Sequence, residues 1–508
     1  MSSSSDSEDD KGNQVRVSLK LSANVQDRSL EVPSEPIAVP ADIGRKGLSA
    51  VINHLLGRSS TTKEDKDSDD SDSDSDSDSE QQEGGKLVPL NFEFILSGAK
   101  NRLLRKGVEK EARQHGLSLE QAIAITYFPA SNGPELSDEH ESLPDWISSL
   151  SLQGNLLCSG CYDGTLHLYK EQILDDRSHD GLVKLDSTVV SSGPIKCVDT
   201  VLMDDGTMWI ATACLDHTMH IHNYSPSSSS SKLNMYGQCK QDGLSCAMTS
   251  LDFSPSSKLL ASGDGHGCIC IWDVHQQDDV SGSSKSTKKL KTAQGGKSSK
   301  SIKSIFPQVS MVSSHTQPVS GISWGNHHLQ NASSRNGECT VSNLTHLISG
   351  SWDHSIKLWD VERQDCLITL NGSRVVSCLD TSYHSEGVVA TGHPDCTIRL
   401  WDVRANDSNL KQQSLVSDNT FRPSHRAWVS SVHWSKFNPY HLMSTSHDGS
   451  IKLWDIRSSN PLHTIRVFPK DEKALCLAWH EDKKNGSSSQ HGIIFAGGTD
   501  CTIKQLKL

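Results

Sequence analysis

Asp448-Gly449-Ser450-Ile451-Lys452-Leu453-Trp454-Asp455 is a tight turn followed by an alternating strand. Two apolar strands precede it, Val429-Ser-Ser-Val432-His-Trp434 and Leu442-Met443-Ser444-Thr445-Ser446. Alternation with period two marks half-buried strands. The same grammar returns at Asp163–Tyr169, Asp216–His222, Asp353–Asp360, Asp395–Asp402 and Asp500–Lys504, and in degenerate form at Gly265–Asp273. Recurrence of one strand-turn-strand unit signals a radial or stacked repeat. A single unit cannot bury both its faces, so a ring of units is the stable object. Such a platform makes catalysis unexpected.

Four-stranded units closing on Trp-Asp resemble the blades of WD-repeat propellers. Seven are read, over 146–170, 193–224, 247–274, 319–361, 376–403, 429–456 and 474–508. The last stops after a third strand. Its outer strand is expected from residues 123–144, which would remove an exposed edge. The fold class expected is mainly β: a seven-bladed propeller preceded by a ubiquitin-like β-grasp unit with an acidic disordered insertion.

The net charge of −13 is not spread evenly. Residues 64–83 hold eleven acids and Lys66, and residues 6–10 hold four more acids, so the remainder is close to neutral. These Ser/Asp tracts cannot pack, would repel nucleic acid, and place serines beside acids as acidophilic kinases require. No apolar run is long enough to span a membrane, and the first residues lack a secretion signal. Among fourteen cysteines, Cys197, Cys378 and Cys476 fall at equivalent first-strand positions, and Cys396 and Cys501 both follow a turn Asp. Repeat-equivalent cysteines are expected to be small buried apolar residues. Cys158-Ser-Gly-Cys161 has metal-ligand spacing but lies on a strand with no second pair, so core packing is the expectation.

Residues 1–13 are expected to be disordered, 14–128 to form the ubiquitin-like unit, 58–86 its disordered acidic insertion, 129–145 a linker and 146–508 the propeller. Within the first unit, Gln14–Leu21, Ile37–Val39, Asn91–Leu96 and Ala122–Tyr127 read as strands. A helix is expected over Gly47–Leu56, ending at Gly57. Leu104–Gln114 reads as a strand end and a short helical turn, and Gly116-Leu-Ser-Leu-Glu120 as a loop. Residues 275–313 are Lys/Ser-rich, with seven lysines and no acid over 285–303. The run is a solvated loop, an RNA-backbone contact or, through Lys285, Lys288, Lys289 and Lys291, a nuclear import signal, import being favoured over RNA contact.

Gly296-Lys297-Ser298 is not a phosphate-binding loop, because Lys291 stands where the first Gly belongs. His315, Asp353 and Trp359, and likewise His425, Asp448 and Trp454, have the composition of a hydrolase triad. They are expected instead to form buried networks with second-strand hydroxyls, since an unpaired buried polar group costs about 1–3 kcal/mol. Glu120 would stand on a rigid rim just before the final strand. A hard carboxylate there could complete an octahedral Mg²⁺ site held by another protein.

Gly47-Leu-Ser-Ala-Val-Ile-Asn-His-Leu-Leu-Gly57, Gly116-Leu-Ser-Leu-Glu120 and Asp145-Trp-Ile-Ser-Ser-Leu150, followed by seven blades, carry a resemblance. The chain is similar to the WD-repeat ribosome-biogenesis proteins of the pescadillo (PeBoW) complex, which have a Notchless-like amino-terminal domain. The long Ser/Asp tract departs from the compact form of that domain. The resemblance implies a non-enzymatic assembly factor for the large (60S) subunit, acting on pre-60S particles in the nucleolus and nucleoplasm. It implies as partners pescadillo, the block-of-proliferation WD-repeat protein and the AAA ATPase midasin. It implies that Glu120 is a ligand to Mg²⁺ in midasin's adhesion site, and that the chain holds no cofactor of its own. A Notchless-type factor would need an eighth blade. An adaptor for a ubiquitin ligase would bind its scaffold irrespective of Glu120.

Overall fold

The computed structural model describes residues 14–23, 25, 27–58, 89–97, 102–131, 133–172, 181–203, 205–226, 232–239, 246–254, 259–274, 303–311, 314–325, 346–385, 387–403, 424–458, 460–482 and 491–508. Residues 1–13, nearly all of 58–86, and Lys285, Lys288, Lys289 and Lys291 lie outside them. The chain divides into two compact units, Met1–Asn132 and Gly133–Leu508.

In the first unit β1 (Gln14–Leu21) buries alternate residues, Val15, Val17, Leu19 and Leu21. It pairs antiparallel with β2 (Ile37–Pro40). The helix α1 (Arg45–Leu55) follows and buries Leu48 and Ile52, one helical turn apart, in the core that holds the β1 residues. It stops where Gly57 takes a left-handed φ of 69°. β3 (Phe92–Leu96), α2 (Val108–Gln114) and β4 (Ile123–Pro129) complete a sheet in the order β2-β1-β4-β3. β4 runs parallel to β1 through the centre. This is a β-grasp arrangement. One expected strand is absent among the described residues: before α2 there is only a bridge from Leu103 to Ile95. Leu104 turns into the core there, and Glu111 Oε1 accepts the N–H groups of Arg105 and Lys106 at 3.0 Å each, which starts the helix early.

The second unit holds seven sheets among the described residues. Their first strands are Ile147–Gln153, Ile195–Leu202, Met248–Phe253, Val319–Trp324, Cys378–Thr381, Val429–Trp434 and Ala474–Asp482. Each packs against the next, and the seventh packs against the first, so the ring closes. β5 (Glu135–Ser142) is the outer strand of the seventh sheet, pairing antiparallel with Thr502–Lys507 from Ser142 opposite Thr502 to Glu135 opposite Lys507. The stretch 129–145 is therefore not a linker: β4 reaches Pro129 and β5 belongs to the ring. The Lys-rich stretch 275–313 is also not all loop. Lys303–Ile305 adds a parallel fifth strand to blade 2, and Pro307–Met311 becomes the outer strand of blade 3. Ile305 and Met311 are buried there, and Lys303 Nζ donates to Tyr236 Oη at 3.1 Å.

The turn Asp explains the repeat. Its Oδ1 accepts the N–H of the residue two on, at 2.9 Å in Asp163, 2.9 Å in Asp353 and 3.0 Å in Asp448. The residue between is left-handed in six blades: Gly164, His217, His354, Cys396, Gly449 and Cys501. In blade 3 that role moves to Gly267, and Asp264 Oδ1 accepts the N–H groups of His266 and Cys268. A left-handed non-Gly residue costs about 1–2 kcal/mol, which the surrounding bonds offset. Cys396 and Cys501 are thus turn residues of intermediate exposure, not core residues.

First strands line a central cavity of about 900 Å³. Carboxylates there latch neighbouring blades. Asp199, Asp252 and Asp380 accept the N–H groups of Phe253, Trp324 and Trp434 at 2.7, 2.7 and 2.8 Å. Burial raises the proton affinity of all three, that of Asp380 to about 7.

Candidate functional site

Glu120 sits in the loop between α2 and β4, and the chain is fixed on both sides of it. The end of α2 is a Schellman motif. Gly116 has φ 68°, its N–H donates to Arg113 O at 3.2 Å, and the Leu117 N–H donates to Ala112 O at 2.9 Å. Leu117 and Leu119 both pack against the core of the unit. Ser118 and Glu120, between and after them, are exposed. Three residues further on, Ile123 pairs with Val17 of β1. The Glu120 N–H donates to Ser118 Oγ at 3.3 Å. Among the described residues, no group bonds the Glu120 carboxylate.

One carboxylate cannot hold Mg²⁺, which demands six oxygen ligands in near-octahedral array. Among the described residues there is no group of three or more His, Cys, Asp or Glu able to hold a metal ion. A lone exposed carboxylate offers a cation one or two oxygens and no more. Sequence reasoning picked out Glu120 and missed the bond from its N–H to Ser118. The alternation Leu117-Ser118-Leu119-Glu120 was the available signal, since it puts two leucines in and two polar residues out.

The expected triads are brought together in blades 4 and 6. His315 Nε2 lies 2.7 Å from Ser349 Oγ and Nδ1 lies 2.9 Å from Asp353 Oδ2. The Trp359 indole N–H donates to Ser349 Oγ at 2.8 Å. In blade 6 the matching distances are 2.7 Å from His425 to Ser444, 3.3 Å to Asp448, and 2.8 Å from Trp454 to Ser444. Both imidazoles are buried. Desolvation lowers their proton affinity against the pull of the Asp. Burial also pushes Asp353 up, but bonds from Ser355, the Thr316 N–H and His315 outweigh it and hold the group at about 2. With the Ser oxygen already accepting the indole N–H deep in the blade, no nucleophile is presented. These are structural networks.

Cys158 and Cys161 are both fully buried, three residues apart on one strand, in two different hydrophobic clusters. They face opposite sides of the sheet and cannot converge on a metal. Burial pushes the Cys161 thiol up to about 12 and Cys158 higher still.

The fold and its recurring turns define a WD-repeat protein with a separate amino-terminal domain. Residues 137–170, 237–273, 306–360, 364–402 and 417–455 match the WD domain, G-beta repeat family, and residues 17–71 match the NLE (NUC135) domain. The chain resembles, over nearly its whole length, curated proteins named ribosome biogenesis protein WDR12 homolog. The protein from Chlamydomonas reinhardtii is 28% identical over 94% of this chain and 94% of its own. That from Arabidopsis thaliana is 25% identical, also over 94% of each. That from Nematostella vectensis is 27% identical over 93% of this chain and 95% of its own. No helix among the described residues is long and apolar enough to cross a membrane.

Proposed function

We propose that this chain is a non-enzymatic assembly factor in ribosome biogenesis, acting on precursors of the large (60S) subunit. The propeller is a docking platform for a complex containing pescadillo and the block-of-proliferation WD-repeat protein. The amino-terminal unit is the handle by which the complex is removed. Glu120 enters the coordination shell of Mg²⁺ in the adhesion site of midasin, and ATP-driven pulling on that contact strips the complex from the particle. The chain works in the nucleolus and nucleoplasm.

The observation that carries this reading is the exposed Glu120 carboxylate, without a bonded partner among the described residues, on a loop braced at both ends. The near full-length similarity to ribosome biogenesis proteins supplies the setting. Seven sheets among the described residues agree better with this factor than with an eight-bladed Notchless-type protein.

The test is sedimentation of the tagged full-length chain in its own cells. It is expected to travel with large-subunit precursors and to bring down pescadillo. A Glu120→Ala chain is expected to remain on those precursors and hold them in the nucleolus. Sedimentation of the wild-type chain apart from precursors, or normal release of the Glu120→Ala chain, would contradict the reading.

A further inference from the structure

Ser118 is the side chain bonded to the Glu120 backbone in this loop. The two leucines that anchor the loop leave Ser118 and Glu120 on the outer side of the same short segment. The chain bends at 119–121, and the bond from the Glu120 N–H back to Ser118 Oγ closes the two residues into one short turn. The Ser118 oxygen accepts the Glu120 N–H at 3.3 Å, so the hydroxyl steadies the residue that carries the carboxylate. The hydroxyl is exposed, and its own hydrogen is not needed for that bond. The sequence Ser118-Leu119-Glu120 puts an acid two residues downstream of the hydroxyl.

We propose that Ser118 is a modification site, and that phosphorylation of its hydroxyl switches off the contact made by Glu120. The inference rests on the reading that Glu120 binds a partner's cation. In the step, Ser118 Oγ attacks the γ-phosphorus of ATP bound to an acid-directed serine kinase. The Oγ–P bond forms as the bond from the γ-phosphorus to its bridging oxygen breaks. ADP leaves, and the hydroxyl proton passes to the kinase base. The product carries about −1.5 to −2 charges at pH 7 and three strong acceptor oxygens beside Glu120. Two consequences follow for the contact. The phosphate oxygens compete for the Glu120 N–H and turn the carboxylate away from its braced direction. The added dianion also meets the acidic residues that a Mg²⁺ site must contain, and is repelled by them.

Two measurements on the full-length chain decide the matter. First, the chain is incubated with an acid-directed serine kinase and ATP, and phosphate is mapped by mass spectrometry. Phosphate on Ser118 as well as on the Ser/Asp tract is expected. Labelling of the tract with none on Ser118 would overturn the proposal. Second, phosphoserine is installed at position 118 during translation, and affinity for midasin's adhesion domain is measured in Mg²⁺. The phosphorylated chain is expected to bind at least about tenfold more weakly, with recovery on phosphatase treatment. Ser118→Thr, which keeps the accepting oxygen, is expected to bind more tightly than the phosphoserine chain, and Ser118→Ala, which loses that oxygen but adds no charge, to fall between them. Unchanged affinity of the phosphoserine chain, alongside a weakened Glu120→Ala chain, overturns the switch alone. Wild-type affinity of Glu120→Ala overturns the underlying reading and the switch together.

Discussion

Asp448 and Glu120 are carboxylates with opposite surroundings. In Asp448 both oxygens are engaged. Oδ1 takes the Ser450 N–H and hydroxyl, and Oδ2 takes the Arg426 N–H and lies beside His425. Its side chain is only 10% exposed, and its proton affinity is held far below the ordinary range despite burial. Glu120 has a steadied backbone and a carboxylate with no bonded partner among the described residues. The first carboxylate spends its bonding capacity holding a blade together. Among the described residues nothing takes up the bonding capacity of the second. Residue type does not separate the two carboxylates; the count of satisfied lone pairs does.

The sharpest way to break this comparison is to remove the satisfied member. Asp448→Ala strands the Arg426 N–H, Ser450 and His425 together, and a loss of about 3 kcal/mol is expected by denaturant titration. A loss under about 1 kcal/mol would show that the network is decorative. Acid should act next most strongly. Burial holds His167, His222, His393 and His441 at about 4, against about 6.5 in an unfolded chain. Between those values the unfolded chain binds more protons at these four histidines, so their contribution to stability is full above pH 6.5 and falls as pH drops toward 4, while Asp199, Asp252 and Asp380, whose proton affinity burial raises, act in the opposite direction. An Asp380→Asn chain, which lacks one opposing group, is expected to lose more Tm between pH 7 and pH 5 than wild type by calorimetry, and an equal loss would contradict the assignment. Relief of turn strain should be smaller. His354 is exposed with φ 70°, and His354→Gly should gain about 1 kcal/mol. Glu120→Ala should have the smallest effect, leaving the Tm unchanged, because no described residue bonds that carboxylate.

Much of this was legible in the sequence, for a physical reason. Turn Asp, left-handed residue, alternating strand and Trp each do one local job, so a repeat can be recognised from seven neighbouring residues. The Trp359–Ser349 and Trp454–Ser444 bonds follow from that spacing. β5 was legible only as a window, because its partner lies more than 350 residues away at Thr502–Lys507 and no local pattern fixes that register. Lys303–Ile305 was hidden for the opposite reason. Its lysine counts as loop composition, yet its ammonium is held by Tyr236, and Ile305 packs beneath blade 2. At the candidate site the sequence displayed the carboxylate. It did not display the Schellman turn and the Ser118 bond, since both depend on where α2 ends.

The central claim is that Glu120 serves a cation outside this chain. Its most direct test is the affinity of the full-length protein for midasin's adhesion domain, measured with Mg²⁺ and with chelator, for wild type, Glu120→Ala and Glu120→Asp. A loss of at least about a hundredfold is expected for Ala, and a clear loss for Asp, whose carboxylate is one methylene short. The wild-type affinity should collapse to the Ala level in chelator. Equal, Mg²⁺-independent binding by all three would contradict the account.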